Sequence, residues 1–260
     1  MGEWLQLHNI IGINIIGIVL PSVFVGTVSA HQIPASTLAS PTLWVPGSLR
    51  IKQVEEEVSA LRNSVICAFN QLLDLKDLNT GVHSTRLAEW GMRVGQELGL
   101  EEAALRDLEV AALLHDIGKV GVPDGILNKP GRLTEEEFGI VKRHPEFGWT
   151  VLRNLPGFER TSLFVLHHHE NFDGTGYPAQ LRGSETPIGA RIVSVIDAFD
   201  AMVSSRPYRD GLPVEEAIRR LHESSGTQFD SAVVQTFARI AQSELAAVLE
   251  AVGSSVPVIG

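Results

Sequence analysis

From Ile51 onward, apolar residues recur at steps of three and four: Ile51, Val54, Val58, Leu61, Val65, Phe69 and Leu72. Successive side chains of an α-helix turn by about 100°, so this spacing lines one face and predicts an amphipathic helix packed on a core. Equivalent stripes cover residues 82–98, 101–117, 135–153, 158–170, 187–204, 213–224 and 231–250. No segment alternates apolar and polar residues over the length of a strand, so residues 51–260 are expected to form an all-α helical bundle. Local chemistry supports several boundaries. Thr134 and Glu137 have the spacing of a capping box, Pro187 suits a first helical turn, and Gly118 is a candidate helix terminator.

The chain is 260 residues long, enough for one sizeable core and an appendage. Residues 10–30 carry no charged side chain and are rich in Ile, Val and Gly, long enough to cross a bilayer as one helix. Residues 1–30 therefore read as a membrane anchor, the alternatives being a cleaved signal ending at Val28-Ser29-Ala30 or a misassigned start. No Lys or Arg precedes the segment, whereas Arg50, Lys52 and Arg62 follow it. The positive-inside tendency then expects an inner-membrane anchor with the bundle in the cytoplasm; a soluble cytoplasmic protein is the alternative. Residues 31–50, rich in Pro, Ser, Thr and Ala, read as a linker.

The formal net charge of -10 argues against a nucleic-acid polymer as partner, since sequence-independent phosphate contact needs a basic face. A small anionic substrate remains compatible if bound metal ions concentrate positive charge in one pocket. The single cysteine, Cys67, excludes an intramolecular disulfide and a cysteine-rich zinc site.

The run Leu113-Leu114-His115-Asp116-Ile117-Gly118-Lys119 places two adjacent metal-binding groups at the end of an apolar helix. An ionised Asp in an apolar interior is costly unless paired or metal-bound. Alone, a His-Asp dipeptide is common and is satisfied by an ordinary hydrogen bond. However, His83 lies on the preceding helix, His144 and the run His167-His168-His169 follow, and Asp197 stands on a later apolar helix. Groups spread over successive helices can converge on one point inside a bundle. Imidazole with carboxylate and no thiolate suits iron, manganese or zinc better than magnesium or calcium. A carboxylate such as Asp116 can bridge two ions, and two ions about 3.5–4 Å apart clamp the attacking and leaving oxygens of a phosphoryl group. That chemistry is phosphate-ester hydrolysis.

Several segments then match in order. They are Asp77-Leu78-Asn79-Thr80-Gly81-Val82-His83-Ser84, His115-Asp116-Ile117-Gly118-Lys119, His144-Pro145, the run from His168-His169-Glu170 to Gly176-Tyr177-Pro178, Asp197-Ala198-Phe199-Asp200, and Arg206-Pro207-Tyr208-Arg209. Over residues 54–237 the chain resembles an HD-GYP domain, a branch of the HD metal-dependent phosphohydrolases. The resemblance implies two divalent metal ions per chain, iron or manganese. One is held by His83, His115, Asp116 and Asp197, and the other by Asp116, His144, His168 and His169, with Asp116 bridging. It implies that Lys119 holds a non-bridging phosphate oxygen, that Tyr177 touches the substrate base or a partner, and that Arg206 and Arg209 pair with phosphate or guanine; Asp200, one turn after Asp197, is placed to anchor Lys119 or a water at the metals.

The implied reaction is hydrolysis of cyclic di-GMP to pGpG by a hydroxide bridging the metals, with onward cleavage to GMP much slower. Some family members carry a glutamate where this chain has Asn79, so a third ion is not expected. Diguanylate cyclase domains and a second copy of the chain are candidate partners. Two rival readings stand beside this one: a nucleotide phosphohydrolase of the wider HD group, and a non-catalytic sensor of a cyclic dinucleotide or of a cyclase. His167 points about a third of a turn from His168 and is read as packing or as supporting a ligand from behind. Glu170 is read either as orienting a ligand imidazole or as a solvated helix end.

Overall fold

The computed structural model describes residues 47–76, 81–205 and 210–254. Residues 10–30, Asn79, Arg206 and Arg209 lie outside the described residues. The chain divides after Arg50 into two units, and the second, Ile51–Gly260, contains the bundle.

The helices are α1 (Gly47–Lys76), α2 (Gly81–Glu97), α3 (Glu102–Leu114), α4 (Asp124–Leu127), α5 (Glu135–Val141), α6 (His144–Leu152), α7 (Glu159–His167), α8 (Ile188–Val203), α9 (Val214–Glu223) and α10 (Ser231–Ser254). A 3-10 turn, Ile117–Gly121, follows α3. Among the described residues there is no β-strand, and no helix is long and apolar enough to cross a membrane.

Helices α3 and α8 form the middle of the bundle because they are apolar on most of their circumference. Leu105, Leu108, Val110, Ala111, Ala112 and Leu114 are buried on α3, and Ile192, Val193, Val195, Ile196 and Phe199 on α8. Leu87 of α2, Val165 of α7, Leu221 of α9 and Phe237 of α10 close around them. Each such side chain contributes about 1.5–3 kcal/mol on burial. The carboxylates carried by α8 therefore stand in surroundings that penalise an unpaired charge.

Three local expectations change. The stripe over 135–153 is two helices, because Pro145 has no N–H to give the carbonyl of Val141 and its ring crowds that carbonyl. Helix α5 keeps its capping box, with Glu137 N–H donating to Thr134 Oγ1 (3.2 Å) and Thr134 N–H to Glu137 Oε2 (2.8 Å). Gly118 does not end α3, which stops at Leu114; it lies inside the 3-10 turn. A Cβ there would come within 1.8 Å of the His144 carbonyl oxygen, so the turn and the start of α6 meet backbone to backbone. Lastly, α1 is helical as expected, yet Ile51, Val54, Val58, Leu61 and Leu72 are exposed. Its core-facing side is Ile66 and Leu73, with Phe69 partly buried.

Candidate metal centre

Three of the candidate ligands share one local device. His115 directly follows α3, His168 directly follows α7, and His144 begins α6 just after the break behind α5. The last carbonyls of a helix lack internal partners, and each histidine takes one. His115 Nδ1 lies 2.9 Å from the Ala112 carbonyl, His144 Nδ1 2.8 Å from that of Val141, and His168 Nδ1 2.7 Å from that of Val165. A carbonyl only accepts, so Nδ1 donates, and in the neutral ring Nε2 carries the lone pair. For His144 the accepting carbonyl is the one that Pro145 leaves unpaired.

Those Nε2 atoms point inward. His144 Nε2 and His168 Nε2 are 3.3 Å apart, an arrangement that sets two lone pairs against each other unless a cation lies between them. His115 Nε2 is buried and makes no hydrogen bond. Among the described residues two groups bring their ligand atoms within 4.8 Å of one another: His144, His168 and His169, and His83, His115 and Asp197. Asp116 stands between them, with Oδ1 3.3 Å from His144 Nε2 and Oδ2 3.3 Å from His115 Nε2. The orphaned His115 nitrogen, the opposed lone pairs and the carboxylate between them fit divalent metal binding.

The electrostatics agree with a ligand role. Burial alone would raise the Asp116 carboxyl, but Lys119, His115 and His144 hold it well below the usual carboxylate range. Burial, together with neighbouring imidazoles, pushes His144 and His168 below the usual histidine value and His169 to about 4, so these rings are neutral. His115 is raised against its burial by Asp116 and Asp197. Asp197 stays low despite burial through its hydrogen bond with His83.

His83, on α2, is held from both sides. Nε2 lies 3.3 Å from Asp197 Oδ1 and Nδ1 lies 2.5 Å from Asp200 Oδ2. Asp200 was expected to anchor Lys119 or a water at the metals; instead it backs His83. Arg86 donates to it from Nε (2.7 Å) and Nη2 (3.0 Å), and Ser204 Oγ from 3.1 Å. The reason is register. Asp200 follows Asp197 by three residues on α8, which places both carboxylates along the face that α2 covers. Arg86 was not identified from sequence. Its only signal was its position three residues after His83 on the same helix.

At the mouth, Lys119 Nζ is 2.7 Å from Asp116 Oδ2. The Tyr177 ring stacks on His169, with centroids 4.9 Å apart and planes 28° apart. The turn before Tyr177 needs glycine, because a Cβ on Gly176 would come within 2.2 Å of the Asn171 amide nitrogen. Glu170 neither orients a ligand nor meets solvent. It is buried and accepts the Ala179 N–H (2.6 Å) and the Leu181 N–H (3.1 Å), pinning the loop that follows the ligand run. His167 stays outside both ligand groups, its Nδ1 3.5 Å from Glu170 Oε1.

This chain is similar to a cyclic di-GMP phosphodiesterase of Thermotoga maritima, at 42% identity over 178 residues, which are 68% of this chain and 48% of that protein. It is also similar to the cyclic di-GMP phosphodiesterase response regulator RpfG of Xanthomonas campestris, at 37% identity over 185 residues, 70% of this chain and 49% of that protein. The chain thus spans about half the length of these curated relatives. Among solved structures, the cyclic GMP-AMP specific phosphodiesterase V-cGAP3 of Vibrio cholerae shares the fold, with a TM-score of 0.55 at 22% identity over 71% of this chain and 50% of that one. The family model described as HD domain matches residues 68–233. That stretch is more than half of the chain and includes every side chain that converges on Asp116, and the protein belongs to the HD domain family.

Proposed function

We propose that the chain is a phosphodiesterase that hydrolyses cyclic di-GMP to pGpG at a site for two metal ions. The observation that carries this reading is the placement of Asp116, one oxygen toward each group of histidines. On this reading His83, His115, Asp116 and Asp197 hold one ion and Asp116, His144, His168 and His169 the other. A donor set of imidazole and carboxylate suits iron, manganese or zinc, and the resemblance to HD-GYP domains points to the first two. When bound, the metals supply Lewis acidity at the phosphoryl oxygens and lower the pKa of water. The curated relatives at 42% and 37% identity, both named as cyclic di-GMP phosphodiesterases, support the substrate class.

The chain's own groups then divide the work. Lys119, partly exposed and at the Asp116 carboxylate, faces the incoming phosphate and holds a non-bridging oxygen, where charge develops as water adds to phosphorus and the P–O3′ bond breaks. The 3′ oxygen leaves with a proton. Tyr177, stacked on His169, borders the mouth and offers a surface for a base. Arg206 and Arg209 complete the substrate contacts by pairing with phosphate or guanine. Asp200 acts through His83, not on the substrate.

Turnover with manganese or ferrous iron, resolved by chromatography, tests the reading. Cyclic di-GMP should yield accumulating pGpG ahead of any GMP. Preference for a linear nucleoside or alarmone phosphate would point to the wider HD phosphohydrolases. Tight cyclic di-GMP binding without turnover under both metals would make the protein a sensor.

A further inference from the structure

The first turns of α1 are open to solvent: residues 51–60 are exposed without exception. Ile51, Val54, Val58, Leu61, Leu72 and Leu75 are each more than half exposed, Leu75 by 84%. With Val65 and Ala68 they fall into four heptads. Ile51, Val58, Val65 and Leu72 hold the first position, and Val54, Leu61, Ala68 and Leu75 the fourth. The side of α1 that meets the core, marked by Arg62, Ile66 and Leu73, lies about 100° further round the helix, so the seam is a second face. A seam repeating every 3.5 residues over four heptads is the pattern of a coiled coil. An isolated solvated helix of such length is marginal in water, so these turns need a covering partner.

We propose that the cover is α1 of a second copy of this chain, in a parallel, in-register, two-stranded coiled coil. Two features select this occupant. β-Branched Ile51, Val58 and Val65 at the first position, with Leu61 and Leu75 at the fourth, favour two parallel strands. The flanking charges also match. In a parallel pair each residue before a first position faces the residue five places on in the other strand, which sets Arg50 against Glu55 of the second copy and Glu57 against Arg62. The antiparallel pairing with Ile51 opposite Leu61 would set Glu57 against Glu57 and Glu55 against Glu55. Arg62 also reaches Asp107 of α3 (3.4 Å), tying the flank of the seam to the bundle.

The test uses the full chain in a nonionic detergent, with Cys67, exposed and away from the seam, replaced by Ser. Sedimentation should show a dimer, and the pair Val58→Asp and Leu61→Asp should reduce the protein mass twofold with an unchanged circular dichroism melting temperature of the bundle. Leu61→Cys alone should form a disulfide-linked dimer under mild oxidation. A monomeric parent chain, or a dimer that survives the two Asp substitutions, overturns the proposal. So does cross-linking of Leu61→Cys only to an Ile51→Cys copy, which reports the antiparallel pairing.

Discussion

The ammonium of Lys119 rests 2.7 Å from Oδ2 of Asp116, the oxygen that also faces His115. On the proposed reading the pair joins a group for the metals to a group for the substrate. On that reading, removing the ammonium leaves the ligand side chains in place and takes away charge directed at the phosphate, together with one of the groups that hold the Asp116 carboxyl low. Lys119→Ala is therefore expected to retain both metals and lose roughly two to three orders of magnitude in turnover. Elemental analysis beside kinetics checks it; loss of metal would assign Lys119 to the metal site itself.

Asp116→Asn should act on both ions at once. One oxygen faces each histidine group, and an amide presents a single neutral oxygen in place of a shared charge. Metal content is expected to drop from two ions per chain to below one, with turnover abolished. A variant that keeps one ion at full occupancy would show that Asp116 serves one group only.

Arg86 positions without touching the metals. Its guanidinium holds the buried Asp200 carboxylate, which in turn holds His83 Nδ1. Substitution of such a supporting group commonly costs about 10–100-fold in metal affinity. Arg86→Met should weaken manganese binding by that order at unchanged fold, while Arg86→Lys restores part of it. Equal affinity in Arg86→Met and the parent chain would reduce the contact to surface pairing.

In the chelated protein, His83 and His169 should each add a pH-dependent limb to stability, and the two have opposite sign. Burial would depress His83, but hydrogen bonds to Asp197 and Asp200 raise it to about 9. Its folded value lies above the unfolded 6.5, so its stabilisation is complete below 6.5 and is lost as pH rises through about 9. His169 has the opposite sign. Burial and His144 lower it to about 4, so its contribution is present above 6.5 and is lost as pH falls toward 4. Urea midpoints across pH should show both limbs. His83→Gln should flatten only the alkaline one; an unchanged alkaline limb in that variant would contradict the assignment.

Helix positions were legible because each stripe records a buried face, and the predicted ranges over α2, α3 and α7 to α10 match within a few residues. The residues that converge around Asp116 were legible because imidazole and carboxylate on apolar helices have few other uses. The division of residues 135–153 was written in Pro145 but hidden by an apolar pattern that continues across it. The bond between Arg86 and Asp200 spans 114 residues, and no local spacing encodes it. On α1 the spacing announced a face to be covered without saying by what. Ile51 and Leu61 obey the same rule as Leu108, and only the folded chain separates them.

The backbone contact at Gly118 bears on which ions the protein accepts. The turn carrying His115 and Asp116 cannot draw nearer to His144, since the His144 carbonyl already fills the space of a Cβ. Both segments carry buried residues, Ile117 and Gly118 on one side and Pro145 and Gly148 on the other. On the proposed reading the polypeptide sets the ligand spacing, and an ion would have to suit it by radius. Calcium, which takes six or more oxygens at about 2.3–2.6 Å, would suit this rigidly spaced, imidazole-rich set less well than transition ions would.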